Sequence, residues 1–465
     1  LKELLLGIAV VYTILVLSVG VYYHRKTKTL GDYLVAGRAL PLPIVLGTIW
    51  ATYVGGATIV GWTGAFYTFG LDWWFYGIGA IAGVALISTA LARRVRKLGV
   101  YTLSELIGLR YDKATRIAMG FMLSIAYVAI YAVQIIALSS VLIVLAGMPR
   151  EWAMVLSTIA FVAIAIPGGL KGVAITDFVQ AIVMALAIIL GGSVSIALAG
   201  GPRAWEALPP KHLQFLGYFT PVAALGAFIS VFGIASVSQS IFIQRFAASR
   251  DERTAQLAGL AMIPGAFFAY FMGPYLMGTA AYTILGPGLR SGEVFPRLAL
   301  ALPEWLGALL FAGVLTTIVT TANSLLISAT ASIVWDVVRV LKPTLTDEAT
   351  FRVSRVVTAV VGLVGLPWAL FFPGIVEAIA FAYTMYAAVA FVPLYAGFWR
   401  RANSVGGLGA VLGGGITALV WEFVLGKPYG IHSMIPTLIV ALIIMVLGSL
   451  LTAPPPKEKA ELFYR

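Results

Sequence analysis

Cysteine is absent from the 465 residues, which excludes disulfides, thiolate chemistry and every Cys-based metal site. Histidine is nearly absent. His24, His212 and His432 are the full complement, and none stands in a pattern with metal-ligand spacing. Charge is scarce as well: Asp, Glu, Lys and Arg make up 11% of the chain against 60% hydrophobic residues, and the mean hydropathy is +0.97. Soluble domains carry about 25% charged residues, so a soluble fold is excluded. Strict alternation of apolar and polar residues is missing, which removes a transmembrane β-barrel. Acids, bases and metal ligands do not gather within the apolar runs, so there is no catalytic constellation for a membrane-embedded enzyme.

What is there is a succession of apolar runs of 18 residues or more, the signature of an all-α polytopic membrane protein. About thirteen spans are expected, near 3–22, 43–68, 72–92, 115–146, 151–167, 174–200, 218–243, 257–286, 304–335, 353–373, 376–398, 406–425 and 434–452. The first has no charged n-region and no small-residue cleavage site, so it reads as a helix and not a signal peptide. The net charge of +12 resolves into topology. Of the 31 Lys and Arg, 24 fall in alternate loops on one side, which the positive-inside rule makes cytoplasmic. A plasma-membrane protein with its amino terminus outside and its carboxyl terminus inside is expected, with lipid and no nucleic acid as its surroundings. The stretch YTLSELIGLRY after Arg93–Lys97 reads as an interfacial amphipathic helix. The proline-rich tail from Pro454 reads as mobile.

The ninth span carries the most informative pattern. Thr317, Thr320, Thr321, Ser324 and Ser328 follow one another at offsets 3, 4, 7 and 11, which places five hydroxyls on one helix face. Lipid offers them no partner, so the stripe faces protein or water. Two readings stand. Ser and Thr act as helix–helix glue, or they present hard oxygens to a small cation. From this helix alone glue stands first.

The second span holds Gly55-Gly56 near its middle, flanked by Thr52, Tyr53 and Thr58. Glycine here means either close packing or an unwound segment with freed carbonyls, which membrane proteins tolerate only inside protein or along a cavity. The seventh span, with Gly233, Ser236, Ser238 and Gln239, is expected to break in the same way. Five spans (43–200) followed by five more (218–398) make two inverted repeats, with the helix 3–22 before them and two helices (406–452) after. Tyr127, Tyr131 and Gln134 share a face of the fourth span, as packing or as a pocket wall. Tyr383 and Tyr386 on the eleventh pose the same choice. Asp177, about one turn into the sixth span, either pairs with Lys171 or Arg245 or lines an ion path.

Several stretches together resemble the sodium:solute symporter family. They are DYLVAGR (32–38), GGLKGV…TDFVQ (168–180), SQSIFIQRF (238–246) and TTANS…WD (320–336), collinear over about residues 30–400. The resemblance implies the five-plus-five inverted-repeat fold with discontinuous second and seventh spans. It also implies one sodium ion held by the carbonyls of Ala51, Val54 and Thr317 and the hydroxyls of Thr320 and Thr321. Five neutral oxygens suit a monovalent hard cation better than Mg²⁺ or Ca²⁺. Asp177 would lie on the ion's exit path. The solute is expected among Tyr53, Gly55, Thr58, Tyr131, Gln134, Ser236, Gln239 and Tyr383. Tyr53 replaces the acidic residue of proline-type members, and WWFYG (73–77) replaces the polar clamps of sugar-type members. The second span looks closest to choline-type members, whose cage tryptophans are not reproduced. An amino acid, carboxylate, quaternary amine or vitamin remains as solute class. A transporter-like sensor domain and a proton-coupled transporter are the rival readings.

Overall fold

The computed structural model describes Gly7 and residues 35–165 and 170–464; apart from Gly7 the expected span 3–22, and residues 166–169, lie outside the described residues. Each of the remaining twelve expected spans contains helix over its described residues. The helices used below are α1 (Leu42–Tyr53), α2 (Trp62–Phe69), α3 (Trp74–Ala90), α4 (Ala92–Leu98), α5 (Leu103–Arg110), α6 (Lys113–Ala146), α7 (Arg150–Ala165), α8 (Leu170–Leu198), α9 (Pro221–Val237), α10 (Gln244–Ala248), α11 (Glu252–Tyr270), α12 (Leu276–Leu285), α13 (Ser291–Ala301), α14 (Glu304–Ile333), α15 (Asp347–Phe371), α16 (Ile375–Ala396), α17 (Ser404–Leu419), α18 (Met434–Leu451) and α19 (Lys457–Ala460). Ten helical stretches among the described residues are long and apolar enough to cross a membrane, and α1 is a shorter apolar helix. No strand interrupts them; the one β-type pairing among the described residues is an isolated bridge from Leu40 to Ser249.

The helices sort by what they pack on. α3 lies along α9 and α11, and α1 lies on α11. A second group forms where α6 packs on α7, α14 and α15, with α7 and α14 also against α15. α8 joins the groups by touching α1 and α14, and α16 joins them by touching α9 and α6. Exchanging the first five spans with the second five maps this pattern onto itself: α1–α11 becomes α9–α3, and α8–α14 becomes α16–α6. Close approach along α3 requires glycine. A Cβ at Gly79 would lie 2.3 Å from the Phe228 carbonyl oxygen of α9, and one at Gly83 2.6 Å from that of Phe232.

Both expected breaks are present. α1 stops at Tyr53 and helix resumes with a π-type turn at Ala57–Gly61 that leads into α2. α9 stops at Val237; Ser238 leaves the helical region (φ −58°, ψ 113°), and a π-type turn over Gln239–Ile243 leads into α10.

Two readings of the basic face are corrected. The tail, read as mobile from its prolines and charges, is docked. Phe463 is 1% exposed, with its ring 5.1 Å from that of Phe398, and its carbonyl accepts from Arg94 Nε at 2.7 Å. Ala460 and Phe463 give this short segment an apolar face that its average composition conceals. The stretch expected to lie at the interface forms α5, but it points inward. Arg110 is fully buried and donates to the carbonyls of Gly397 and Trp399, each at 2.9 Å, so α5 ties the bundle to the loop after α16.

On the opposite face the loop between α17 and α18 presses His432 onto α9, where a Cβ at Gly226 would fall 2.2 Å from the His432 Cβ. Burial, reinforced by Lys427, lowers the imidazole pKa to about 4, against about 6.5 in an unfolded chain. His432 is therefore neutral at pH 7. Below pH 6.5 the unfolded chain takes up a proton that the folded protein refuses, so stability is lost as pH falls from 6.5 toward 4. Thermal unfolding of the solubilised protein at pH 7.5 and pH 5 should show this loss, and His432→Gln should reduce it. An equal pH dependence in both proteins would remove His432 as its source.

Candidate functional site

The break in α1 sets up the site. In a continuous helix the amides of Gly55 and Gly56 would bond to the carbonyls of Ala51 and Thr52, four residues earlier. Here the Gly55 amide turns back to the Tyr53 carbonyl at 3.2 Å, and the Gly56 amide donates to Gln134 Oε1 at 2.9 Å. The Ala51 and Thr52 carbonyls are thereby released from the backbone ladder. The break also needs glycine for space: a Cβ at Gly55 would stand 3.0 Å from Thr321 Oγ1, and one at Gly56 2.7 Å from the Ala137 Cβ. Packing and unwinding, offered as alternatives by the sequence, are therefore one feature.

The hydroxyl stripe of α14 meets those carbonyls. Thr320 Oγ1 donates toward the Ala51 carbonyl at 3.2 Å and the Thr317 carbonyl at 3.1 Å. Thr321 Oγ1 donates to the Thr52 carbonyl at 3.3 Å. Ala51, Thr317, Thr320 and Thr321 are thus brought together, all at most 6% exposed. Val54, the fifth residue expected, is non-helical (φ −84°, ψ 83°) and sits in the turn itself. The carbonyl that faces Thr321 is that of Thr52. The lower part of the stripe is used for packing: Ser328 Oγ donates to Gln244 Oε1 at 2.9 Å.

Toward the basic face the oxygens continue. Thr52 Oγ1 and Ser324 Oγ are 3.3 Å apart, and both accept from one guanidinium nitrogen of Arg245 at 2.9 Å. That nitrogen is 3.9 Å from Asp177 Oδ2, which also accepts from Thr48 Oγ1 at 2.6 Å. Asp177 and Arg245 are both fully buried, although α8 and α10 come from different halves of the chain. Of the two basic candidates named for Asp177, Arg245 faces it; the side chain of Lys171 is outside the described residues. The sequence pointed to Thr52, Ser324 and Arg245 separately but not to their meeting, and Thr48 was missed. Thr48 precedes Thr52 by four residues, a helical offset that carries the signal.

The residues expected around a solute divide. Tyr53 lies among aromatic rings, 5.8 Å from Tyr270 and 6.2 Å from Phe242 between centroids. Trp62 stacks on Tyr270 at 3.9 Å and meets Trp73 and Tyr76 edge-on. Tyr383, on α16, is partly buried against the hydrophobic core. Thr58 turns its hydroxyl to the Tyr53 carbonyl at 3.3 Å. Tyr131, in contrast, packs against Phe161 and Gly365, and Ser236 spends its hydroxyl on the carbonyls of Phe232 and Gly233, both at 2.8 Å. The side chain of Gln239 is outside the described residues. Trp62 and Tyr270 were missed; the density of aromatics in the segments 61–77 and 267–275 was their only signal. Among the described residues no group of three or more His, Asp or Glu is placed to hold a metal ion; the oxygens gathered at the break are those of hydroxyls and carbonyls.

The model of the sodium:solute symporter family matches residues 33–414. The sodium/pantothenate symporter of Escherichia coli (strain K12) is 24% identical over 462 residues, covering 95% of this chain and 95% of that protein. The high-affinity proline transporter PutP of Bacillus subtilis (strain 168) is 26% identical over 468 residues, covering 96% and 98%. Among solved structures, a Na⁺-coupled sialic acid symporter in a substrate-bound outward-open state is similar with a TM-score of 0.73 at 19% identity, over 98% of both chains. MhsT in complex with L-phenylalanine is similar with a TM-score of 0.60 at 14% identity, over 89% of this chain and 98% of that one. At these identities the structural likeness establishes the fold.

Proposed function

Because the chain belongs to the sodium:solute symporter family, we propose that it moves a small organic solute with sodium by alternating access, and that the break in α1 and the threonines of α14 hold the ion. It is a multi-pass membrane transporter and not an enzyme. The observation that carries the proposal is the meeting of Thr320 and Thr321 with the carbonyls of Ala51 and Thr52 across two helices. Thr316 and Thr317 donate their hydroxyls to carbonyls of their own helix. Thr320 and Thr321 instead meet carbonyls that a helix break has released. When sodium binds, each hydroxyl turns its proton away and offers a lone pair. The ion thereby joins the packing group of α1, α3, α9 and α11 to the group of α6, α7, α14 and α15. Rocking of one group against the other about this junction exposes the site to each side in turn, as expected for inverted repeats.

With the basic face cytoplasmic, the oxygens of Thr52, Ser324 and Asp177 form the way out. Arg245 stands across it as a fixed internal cation. An ion leaving toward Asp177 displaces the guanidinium from Thr52 and Ser324, which makes the pair a step in release and not a bystander. The solute lies beside the break, with Tyr53, Thr58 and Tyr383 on its walls.

Binding of ²²Na⁺ to the purified protein tests the ion site without a known solute. Saturable binding that excess Na⁺ displaces and excess K⁺ does not is the expected result. Absence of saturable binding, with solute uptake driven by a proton gradient, would replace sodium by protons as the coupling ion.

A further inference from the structure

We infer that Gln134 is a positioning residue for the ion site: by accepting the Gly56 amide it keeps the α1 helix from closing over the carbonyl of Thr52. The inference rests on the sodium site proposed above and names what holds it open.

Two acceptors compete for a single donor. The Gly56 amide has two candidate acceptors. One is the Thr52 carbonyl, its partner in a continuous helix. The other is Gln134 Oε1, which reaches in from α6 and takes the amide at 2.9 Å. Only the second leaves the Thr52 carbonyl for Thr321 Oγ1, 3.3 Å away. The neighbouring donor is diverted as well, because the Gly55 amide bonds to Tyr53 and not to Ala51. The Gly55 carbonyl meanwhile accepts the amides of Thr58 and Ile59 at 2.9 and 3.1 Å, which starts the outer half-helix on the far side of the turn. The peptide joining Gly55 to Gly56 is therefore pinned on both sides, and the donor side belongs to Gln134.

The location leaves little room for another acceptor. Gln134 is 1% exposed. A Cβ at Gly56 would lie 2.8 Å from Gln134 Oε1 and 2.8 Å from the Ile318 Cγ1, so α6 and α14 press the turn from two sides. Without the acceptor, the Gly56 amide would be a buried donor with no partner, a costly condition in a membrane interior. The cheapest relief is to rewind the turn and take back the Thr52 carbonyl. Gln134 thus acts on the ion through the backbone of α1.

The test compares Gln134→Leu, which removes the acceptor at similar volume, with Gln134→Glu, which keeps an acceptor oxygen at the same reach. ²²Na⁺ binding is measured on both in the absence of solute, with Thr321→Val as a parallel control. The expected result is a tenfold or greater rise in the half-saturating sodium concentration for Gln134→Leu. Gln134→Glu should stay within about threefold of wild type, as retention of the hydrogen bond requires. Should the leucine variant fail to fold, Gln134→Asn keeps the amide but withdraws it by one methylene and should weaken sodium in the same sense. Wild-type sodium binding in folded Gln134→Leu or Gln134→Asn overturns the inference. So does equal weakening in the leucine and glutamate variants. If Thr321→Val also binds sodium normally, the ion site itself is misplaced; if Thr321→Val is weakened and Gln134→Leu is not, only the role of Gln134 falls.

Discussion

Thr321→Val should raise the sodium concentration needed for binding and uptake by about 10- to 100-fold, at least the loss that removal of an outer partner of a metal ligand produces. Valine matches threonine in shape but supplies no oxygen. Glue and ion site differ sharply here. As glue, the hydroxyl of Thr321 is one interhelical hydrogen bond to the Thr52 carbonyl, worth about 0.6 kcal/mol in a membrane protein. Its loss would lower thermal stability slightly and leave sodium dependence alone. As a ligand, it is one of only a few oxygens around the ion. Thr321→Ser restores the oxygen and should recover most of the sodium affinity, with a small packing loss. Thr320→Val should behave like Thr321→Val, because Thr320 Oγ1 stands between the carbonyls of Ala51 and Thr317. A valine variant that folds and keeps wild-type sodium dependence would return the stripe to the glue reading.

The second large effect concerns stability. Arg245→Met should destabilise the protein by about 3–5 kcal/mol, the cost of leaving one partner of a buried pair uncompensated. The charge left behind is Asp177, fully buried and otherwise held at Oδ2 by Thr48 at 2.6 Å. Thr52 and Ser324 lose their donor in the same step. Asp177→Asn in the Arg245→Met background should restore much of the loss, since a neutral amide asks less of its surroundings. A thermal-unfolding cycle of the two single variants and the double variant measures the coupling. Additive effects would mean that the two groups do not compensate each other, and the release path drawn through them would lose its basis. Asp177→Asn alone should fold and should slow turnover or weaken apparent sodium affinity.

Part of this site could be read from the chain because local periodicity encodes it. Offsets of 3, 4, 7 and 11 put the α14 hydroxyls on one face whatever surrounds them. Two adjacent glycines between Thr52 and Thr58 mark a place where α6 and α14 can approach the backbone too closely for any Cβ. Span positions follow from hydropathy for the same reason. What escaped was set by contacts between distant residues. The turn at Gly55-Gly56 depends on Gln134, which is 78 positions away along the chain, and that turn decides which carbonyl meets Thr321. Arg245 reaches Thr52 across 193 positions. The stacking of Trp62 on Tyr270 has no trace in either segment alone. Phe463 misled through composition: prolines and lysines outnumber it in the tail, yet one buried ring against Phe398 is enough to dock the segment.

Uptake into proteoliposomes under an imposed sodium gradient decides whether the protein is a sodium-coupled symporter. Labelled amino acids, carboxylates, quaternary amines and vitamins are offered in turn, with sodium outside and potassium inside. At least one solute should accumulate above its external concentration, accumulation should collapse when the gradient is abolished by a sodium ionophore, and Thr321→Val should shift its sodium dependence upward. Solute that only equilibrates, or that accumulates equally well with potassium on both sides, would contradict sodium-coupled symport.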